Sequence, residues 1–494
     1  MQISAVPEIN KRKESDLIVF PFWYQKKGPK AAASLGTFQA TAKTPIEAKD
    51  FSGKSGEILL LYSKGAKEKR CLLLGLGKEE ELDLESLRKA YALVAKECHK
   101  RKAAKINLVV PNVSELRGLT VDELLTGMSE GILLPNYQWK ELGSKREEKT
   151  LIKHLSFIGV LPKMLGPATD AMKVAEGVYF ARDLVNGSAD RITPQYLAKT
   201  AQELATKFSG VKATVFGKNE IEKQKMGLLL AVSRGSAVDP AFITLSYKGA
   251  PRSKDHTVLV GKGVTYDTGG LNIKPTGSME TMRSDMAGSA TVLGTLAAVA
   301  SLGLKVNVTA VIAATENSVD GRSYKPGDVY TSHKGTTVEV GNTDAEGRLT
   351  LADALSYSVD HLKPTRIIDL ATLTGSVVIA LGEDVSGLFA NQDTLANSLL
   401  EASKQTGESM WRLPLYAPYK ELFKSDIADL KNIGGRAAGS ITAALFLQEF
   451  VTSDIPWAHI DIAGTAFCNK ERAYIPKNAS GYGVRLLVDF LRKI

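Results

Sequence analysis

Short apolar runs alternate with helical patterns along most of this 494-residue chain, and that alternation confines it to α/β architectures. In the first part, residues 57–62, 71–76 and 105–110 read as strands and 82–100 as a helix. A polar, charged stretch at 140–149 precedes an apolar segment at 155–161. A helical pattern over 168–185 then opens a second α/β run. There, 257–260 reads as a buried strand followed by a glycine-rich loop, GKGVTYDTGGLNIKPTG, at 261–277. Helices are expected at 287–302, 349–362, 439–451 and 483–494, and strands at 306–314, 337–340, 367–370 and 458–462. At roughly 150 residues per domain the length suggests two or three domains, and we expect two, 1–165 and 166–494, both α/β.

Composition excludes several classes. A hydrophobic fraction of 44% with 24% charged residues rules out wholesale disorder. Net charge is +9, from 63 Lys+Arg against 54 Asp+Glu. Residues 1–170 hold 28 basic against 21 acidic residues, so most of the excess lies in the first third. That excess suits either a solvated surface or an anionic partner. Cys71, Cys98 and Cys468 are scattered and form no CxxC pair, which fits a reducing, cytoplasmic setting and no structural zinc knuckle. The opening MQISAVPEINKRKESDLIVF has no apolar run after its basic residues, so no secretory signal is expected. The most apolar stretch, 287–315, is interrupted by Lys305 and Asn307 and reads as helix then strand, not a membrane span.

Chemistry concentrates in the second part. No GxxxxGK[ST] loop occurs, and the GxSxG match around Ser129 lies in a helical pattern without the strand–turn–helix that a nucleophile elbow needs. There is no HExxH, so a metal site would be built mainly from carboxylates. Asp267, Asp285, Asp344 and Glu346 all sit near small or glycine residues. Asp344 and Glu346 are two apart, so in extended chain both side chains point the same way. Any one of these acids could simply cap a turn or helix. Four convergent acids would repel one another unless cations held them, and two divalent ions about 3.5–4 Å apart would do so. Lys262 and Lys274 would be ion-pair partners, or an amine ligand if burial and a cation lowered the pKa. Arg348 would be a salt-bridge residue or the holder of a small anion beside a helix N-terminus.

GKGVTYDTGG, NIKPTGSMETMRSDMAG and, above all, NTDAEGRLTLADAL resemble signature segments of the cytosolic leucyl aminopeptidase family. Further similarity runs through DLATLTGSVVIALG, ADLKNIGGRAAGSITAALFLQEFV and WAHIDIAGTAF, so the resemblance covers roughly 170–494. It implies a smaller N-terminal α/β domain and a larger C-terminal catalytic domain with a central mixed sheet flanked by helices. Lys262, Asp267, Asp285 and Glu346 resemble the ligands of the more exchangeable of two divalent ions, Mn²⁺ or Zn²⁺. Asp267, Asp344 and Glu346 resemble those of the more tightly held one, to which the Asp344 carbonyl also contributes. Lys274 and Arg348 resemble the catalytic residues outside the metal shell, Arg348 holding a bicarbonate ion that serves as general base. Met282, Thr372, Gly375, Ala463 and Ala466 fall where the family lines the pocket for the first side chain, and the Leu373 carbonyl where it accepts from the substrate amine.

The implied reaction is release of N-terminal residues such as Leu and Met from short peptides with a free amine, by a water that two cations acidify. The resemblance also implies a homohexamer with sites facing an interior cavity. Some relatives bind DNA as well, and the basic clusters at 11–13, 64–70 and 100–105 are compatible with that additional role. Two departures stand out. NGSADRITP carries Ser188 and Asp190 where Pro and Asn are expected. Ala466 is small where some relatives carry a larger residue, which would widen the pocket beyond leucine alone.

Overall fold

The computed structural model describes residues 1–64, 66–112, 118–139 and 148–494. Gly65, in the basic cluster at 64–70, and most of the polar stretch at 140–149 lie outside the described residues. Contacts divide the chain into two units. One comprises Met1–Ala175 with Lys470–Pro476, the other Glu176–Asn469 with Lys477–Ile494. The division falls ten residues past 165, inside the helix Gly166–Asn186, and the short piece Lys470–Pro476 groups with the first unit. No described helix is long and apolar enough to cross a membrane.

The first unit is built on β1 (Gln2–Val6), β2 (Leu17–Trp23), β3 (Lys30–Ala31), β4 (Ile58–Tyr62), β5 (Arg70–Gly77), β6 (Lys105–Val109) and β7 (His154–Ile158). The order is β1-β7-β6-β2-β5-β4, with β3 on β2, and it is parallel except at β4 and β3. Every residue of β2 is buried, as a parallel strand covered on both faces requires. Pro21 is tolerated in this interior strand because pairing with β6 ends at Val19, so its missing N–H leaves no gap there. The GxSxG segment is wholly helical, within Val121–Leu133. Ser129 is fully buried and its hydroxyl donates to the Leu125 carbonyl at 2.6 Å. A Cβ at Gly131 would lie 2.6 Å from the Arg88 carbonyl oxygen, so this glycine serves close helix packing, not a catalytic turn.

The second unit holds β8 (Val211–Phe216), β9 (Ala241–Lys248), β10 (Thr257–Asp267), β11 (Asn307–Asn317), β12 (Val329–Thr331), β13 (Thr337–Glu339), β14 (Arg366–Ala371), β15 (Ser386–Ala390), β16 (Met410–Arg412), β17 (Leu430–Lys431) and β18 (Trp457–Asp461). An eight-stranded mixed sheet runs β16-β15-β18-β14-β10-β11-β9-β8, and β12-β13-β17 form a small separate sheet. Strands β18, β14, β10 and β11 are parallel neighbours, so Asp461, Ala371, Asp267 and Asn317 end on one edge. Sites in open α/β sheets gather at that edge.

Two sequence expectations change here. β10 continues through GKGVTYD, so Gly261 and Lys262 lie in a strand, not a loop. A Cβ on Gly261 would fall 2.7 Å from the Gly288 backbone, so the glycine lets the helix Ala287–Leu302 close onto the sheet. Asp344 and Glu346 are not side by side on extended chain. Glu346 opens the helix Glu346–Tyr357, while Asp344 precedes it in a turn.

That helix is anchored through Asp353, which is fully buried. Its carboxylate accepts from the Leu228 and Leu229 N–H groups at 3.0 and 2.9 Å and from the His333 N–H at 2.8 Å. Asp353→Ala strands three buried donors. We expect a loss of about 3–5 kcal/mol in urea unfolding at neutral pH. A loss under about 1 kcal/mol would refute this anchoring role.

Candidate active site

The loop around NTDAEGRL is held from several directions. Asn342 Oδ1 accepts from the Asp344 N–H at 2.8 Å, which tightens the turn. Buried Asn432 donates to the Asn342 carbonyl at 2.7 Å and accepts from the Gly341 N–H at 2.8 Å. Thr343 donates to the Gly269 carbonyl at 2.7 Å, which ties this loop to the one after β10. Tyr324 and Asn317 both donate to the Thr343 carbonyl, at 2.7 and 3.0 Å. The result is a rigid cradle that aims Asp344 and Glu346 at the end of β10.

There the charges converge. One carboxylate oxygen from each of Asp267, Asp344 and Glu346 lies within 4.8 Å of the others. Lys262 Nζ lies 2.7 Å from the Asp285 carboxylate and 2.9 Å from Glu346, and donates to the Thr372 carbonyl at 3.0 Å. Lys274 Nζ lies 2.8 Å from Asp267 and 2.7 Å from Asp344. Asp267 also accepts from the Gly269 N–H and the Asn317 side chain, both at 2.8 Å. Thr372 donates to Asp285 at 2.8 Å.

Burial governs the electrostatics. Desolvation, reinforced by Asp267, pushes the Glu346 carboxyl up against the pull of Lys262. Desolvation pushes the Asp285 carboxyl up as well, again opposed by Lys262. Burial also works against charge on Lys262, but Asp285, Glu346 and Asp267 outweigh it and raise its pKa. The same balance raises Lys274, through Asp267 and Glu346. In this structure two ammonium groups offset part of the charge of four carboxylates. Glu346 Oε2 is nonetheless buried without a hydrogen-bond partner. An acid-rich, oxygen-donor cluster with an orphaned buried acceptor fits hard or borderline divalent cations.

A cavity of about 470 Å³ opens over this cluster. Lys262, Asp267, Lys274, Asp285, Asp344 and Glu346 line it, and so do Met282, Thr372, Leu373, Gly375 and Ala463. Two expected residues do not. Ala466 is 3% exposed, its carbonyl accepting from the Ser480 N–H at 3.1 Å. Phe467 lines the cavity in its place, so the small side chain at 466 does not widen it. Arg348 follows Glu346 by two residues on one helix, about 200° around it. It is 8% exposed, and Nη1 donates to the Asn432 carbonyl at 2.9 Å while Nε has no hydrogen-bond partner. Burial lowers its guanidinium to about 10, against the pull of Glu346 and Asp461. Sequence reasoning missed Thr374, Val378, Gly464 and Asn469 in the lining, and Asn317 behind Asp267. Asn317 carries no local signal, since its partner is fifty residues away.

The chain matches the model of the cytosol aminopeptidase family catalytic domain over residues 179–488 and that of the family's N-terminal domain over 18–146. It belongs to the cytosol aminopeptidase family. It is 51% identical to a probable cytosol aminopeptidase of Protochlamydia amoebophila over 497 residues, covering all of this chain and 99% of the relative. A probable cytosol aminopeptidase of Chlamydia abortus is also 51% identical, covering 98% of this chain and 97% of the relative. Among solved structures, a mutant of tomato leucine aminopeptidase superposes with a TM-score of 0.88 at 31% identity, covering 100% and 97% of the two chains. The bottromycin maturation enzyme BotP gives 0.85 at 32% identity over 97% and 99%, and it has also been solved in complex with Mn. Family membership supports a metal-dependent aminopeptidase, a peptidase hydrolase, in a two-domain mixed-sheet architecture.

Proposed function

We propose that this protein removes apolar N-terminal residues, Leu and Met among them, from short peptides with a free amine. The observation that carries the reading is the convergence of Asp267, Asp344 and Glu346 at one end of a peptide-sized cavity, with Glu346 Oε2 unsatisfied. Lys262, Asp267, Asp285 and Glu346 would hold one divalent ion and Asp267, Asp344 and Glu346 a second, Mn²⁺ or Zn²⁺. When bound, the ions supply Lewis acidity and make water nucleophilic near neutral pH.

The chain's own groups do the rest. The Leu373 carbonyl accepts from the substrate amine, so an internal peptide bond has no anchor. Lys274 donates to the scissile carbonyl as negative charge develops on it. Met282, Thr372, Gly375 and Ala463 surround the first side chain. Arg348 would hold a bicarbonate general base, a reading supported by its unpartnered Nε, although it lies outside the cavity lining. A homohexamer in the cytoplasm is part of the same reading. The alternative, an additional DNA-binding role, rests on the charge excess of the first third, and salt-dependent retention on duplex DNA would reveal it.

The test is hydrolysis of leucine p-nitroanilide by purified protein, stripped of metal and then given Mn²⁺ or Zn²⁺, beside an N-acetylated substrate. We expect turnover only with added ion and a free amine. Equal turnover of the acetylated substrate, or none by folded, metal-loaded protein on several amino-acid anilides, would overturn the reading.

A further inference from the structure

Beneath the cavity, on the edge where β14 and β18 end, lies a buried layer that takes no part in the chemistry above. Asp461, the last residue of β18, is fully buried. Its Oδ1 accepts from the Leu373 N–H at 3.1 Å and from the Ala463 N–H at 3.2 Å. Its Oδ2 accepts from the Thr374 hydroxyl at 2.7 Å, and that hydroxyl accepts in turn from the Val377 N–H at 3.1 Å, capping the helix Gly375–Leu381. Leu373 and Thr374, following β14, and Ala463, following β18, form two stretches of the cavity wall. One carboxylate therefore ties both stretches together.

The layer below holds Asp461 in place. Asp369 on β14 accepts from the Trp457 indole at 2.8 Å and pairs with His459 Nδ1 at 2.5 Å, all three side chains being fully buried. This pins β18 to β14 two residues before Asp461. At Gly464 a Cβ would lie 2.3 Å from the Gly382 carbonyl oxygen, so that stretch also rests against the end of the Gly375–Leu381 helix. The three donors engage both oxygens and fill three of a carboxylate's roughly four lone-pair sites. An amide would keep the two Oδ1 contacts and lose an acceptor for Thr374.

We propose that Asp461 is a positioning residue for substrate selectivity, holding the Leu373–Thr374 and Ala463 stretches at one separation and so setting which first side chains are accepted. The proposal rests on the aminopeptidase reading above. A loosened wall alters the fit of the side chain more than the chemistry at the carboxylates, so its mark is a change in KM and in discrimination between substrates.

The test uses the full-length, Mn²⁺-loaded protein with leucine, alanine and phenylalanine p-nitroanilides, comparing wild type with Thr374→Val, Asp461→Asn and Asp461→Ala. Ions bound per chain and unfolding midpoints are measured alongside. For Thr374→Val and Asp461→Asn we expect KM for the leucine substrate to rise about tenfold and kcat to change far less. Preference for leucine over alanine should fall at least about fivefold, with the ion content unchanged. Asp461→Ala should go further in the same direction, with Asp461→Asn intermediate. Should Asp461→Ala fail to fold, the other two variants decide. Unchanged selectivity, an equal loss on all three substrates, or lost ions would overturn the proposal while the aminopeptidase reading stands. A wild type that turns over none of the substrates would overturn both.

Discussion

Glu346→Ala should lower metal-dependent hydrolysis of leucine p-nitroanilide by at least about a thousandfold, the equivalent of roughly 4 kcal/mol of transition-state stabilisation. Glu346, like Asp267, belongs to both proposed sets of ion ligands. It is 1% exposed, lies 2.9 Å from Lys262, and keeps one oxygen with no protein partner. It also opens its helix, so its position is set by the helix and not by a mobile side chain. Truncation should also reduce the ions bound per chain, which metal analysis after gel filtration reads independently of turnover. A variant that keeps activity within tenfold of wild type and binds its full complement of ions would remove Glu346 from the site.

Lys262→Met should destabilise the metal-free protein by about 3–5 kcal/mol, because breaking a buried ion pair leaves uncompensated charge behind. Lys262 is 3% exposed and lies against Asp285 and Glu346, which are 5% and 1% exposed. Methionine fills much of the same space, so packing loss is small and the effect is electrostatic. Unfolding with chelator present should show the full loss. Added Mn²⁺ should recover part of it, since a cation bound only to the native state stabilises by mass action. Equal stability of variant and wild type in chelator would show that the cluster needs no internal counter-charge.

The acids and lysines of the site were legible because they sit in short, chemically unusual segments. NTDAEGRL and GKGVTYDTGG stand out by residue type before any fold is known. The elements that carry them were legible less well. Gly261 and Gly263 read as loop glycines, yet both lie in β10, where a helix and a neighbouring strand press close. Asp344 and Glu346 were expected to converge by strand alternation, and instead a turn and a helix start bring them together. Ala466 looked like a pocket residue by position, but the chain turns so that Phe467 lines the cavity.

Residue identity and short-range periodicity thus indicated the α/β alternation, the absence of a nucleophile elbow and the acid-rich segments, because each depends on neighbours within a turn or a strand. Which side chains meet depended on contacts across the fold. Asn317 reaches Asp267 over fifty residues, Asp461 reaches Leu373 over eighty-eight, and Asn432 reaches Asn342 over ninety. Asn432 and Asp461 lie in segments that carry the family resemblance, yet nothing local to them or to Asn317 shows what they contact. Burial decides that, because a polar group removed from water is stable only with its partners in place, and only the closed fold supplies those partners.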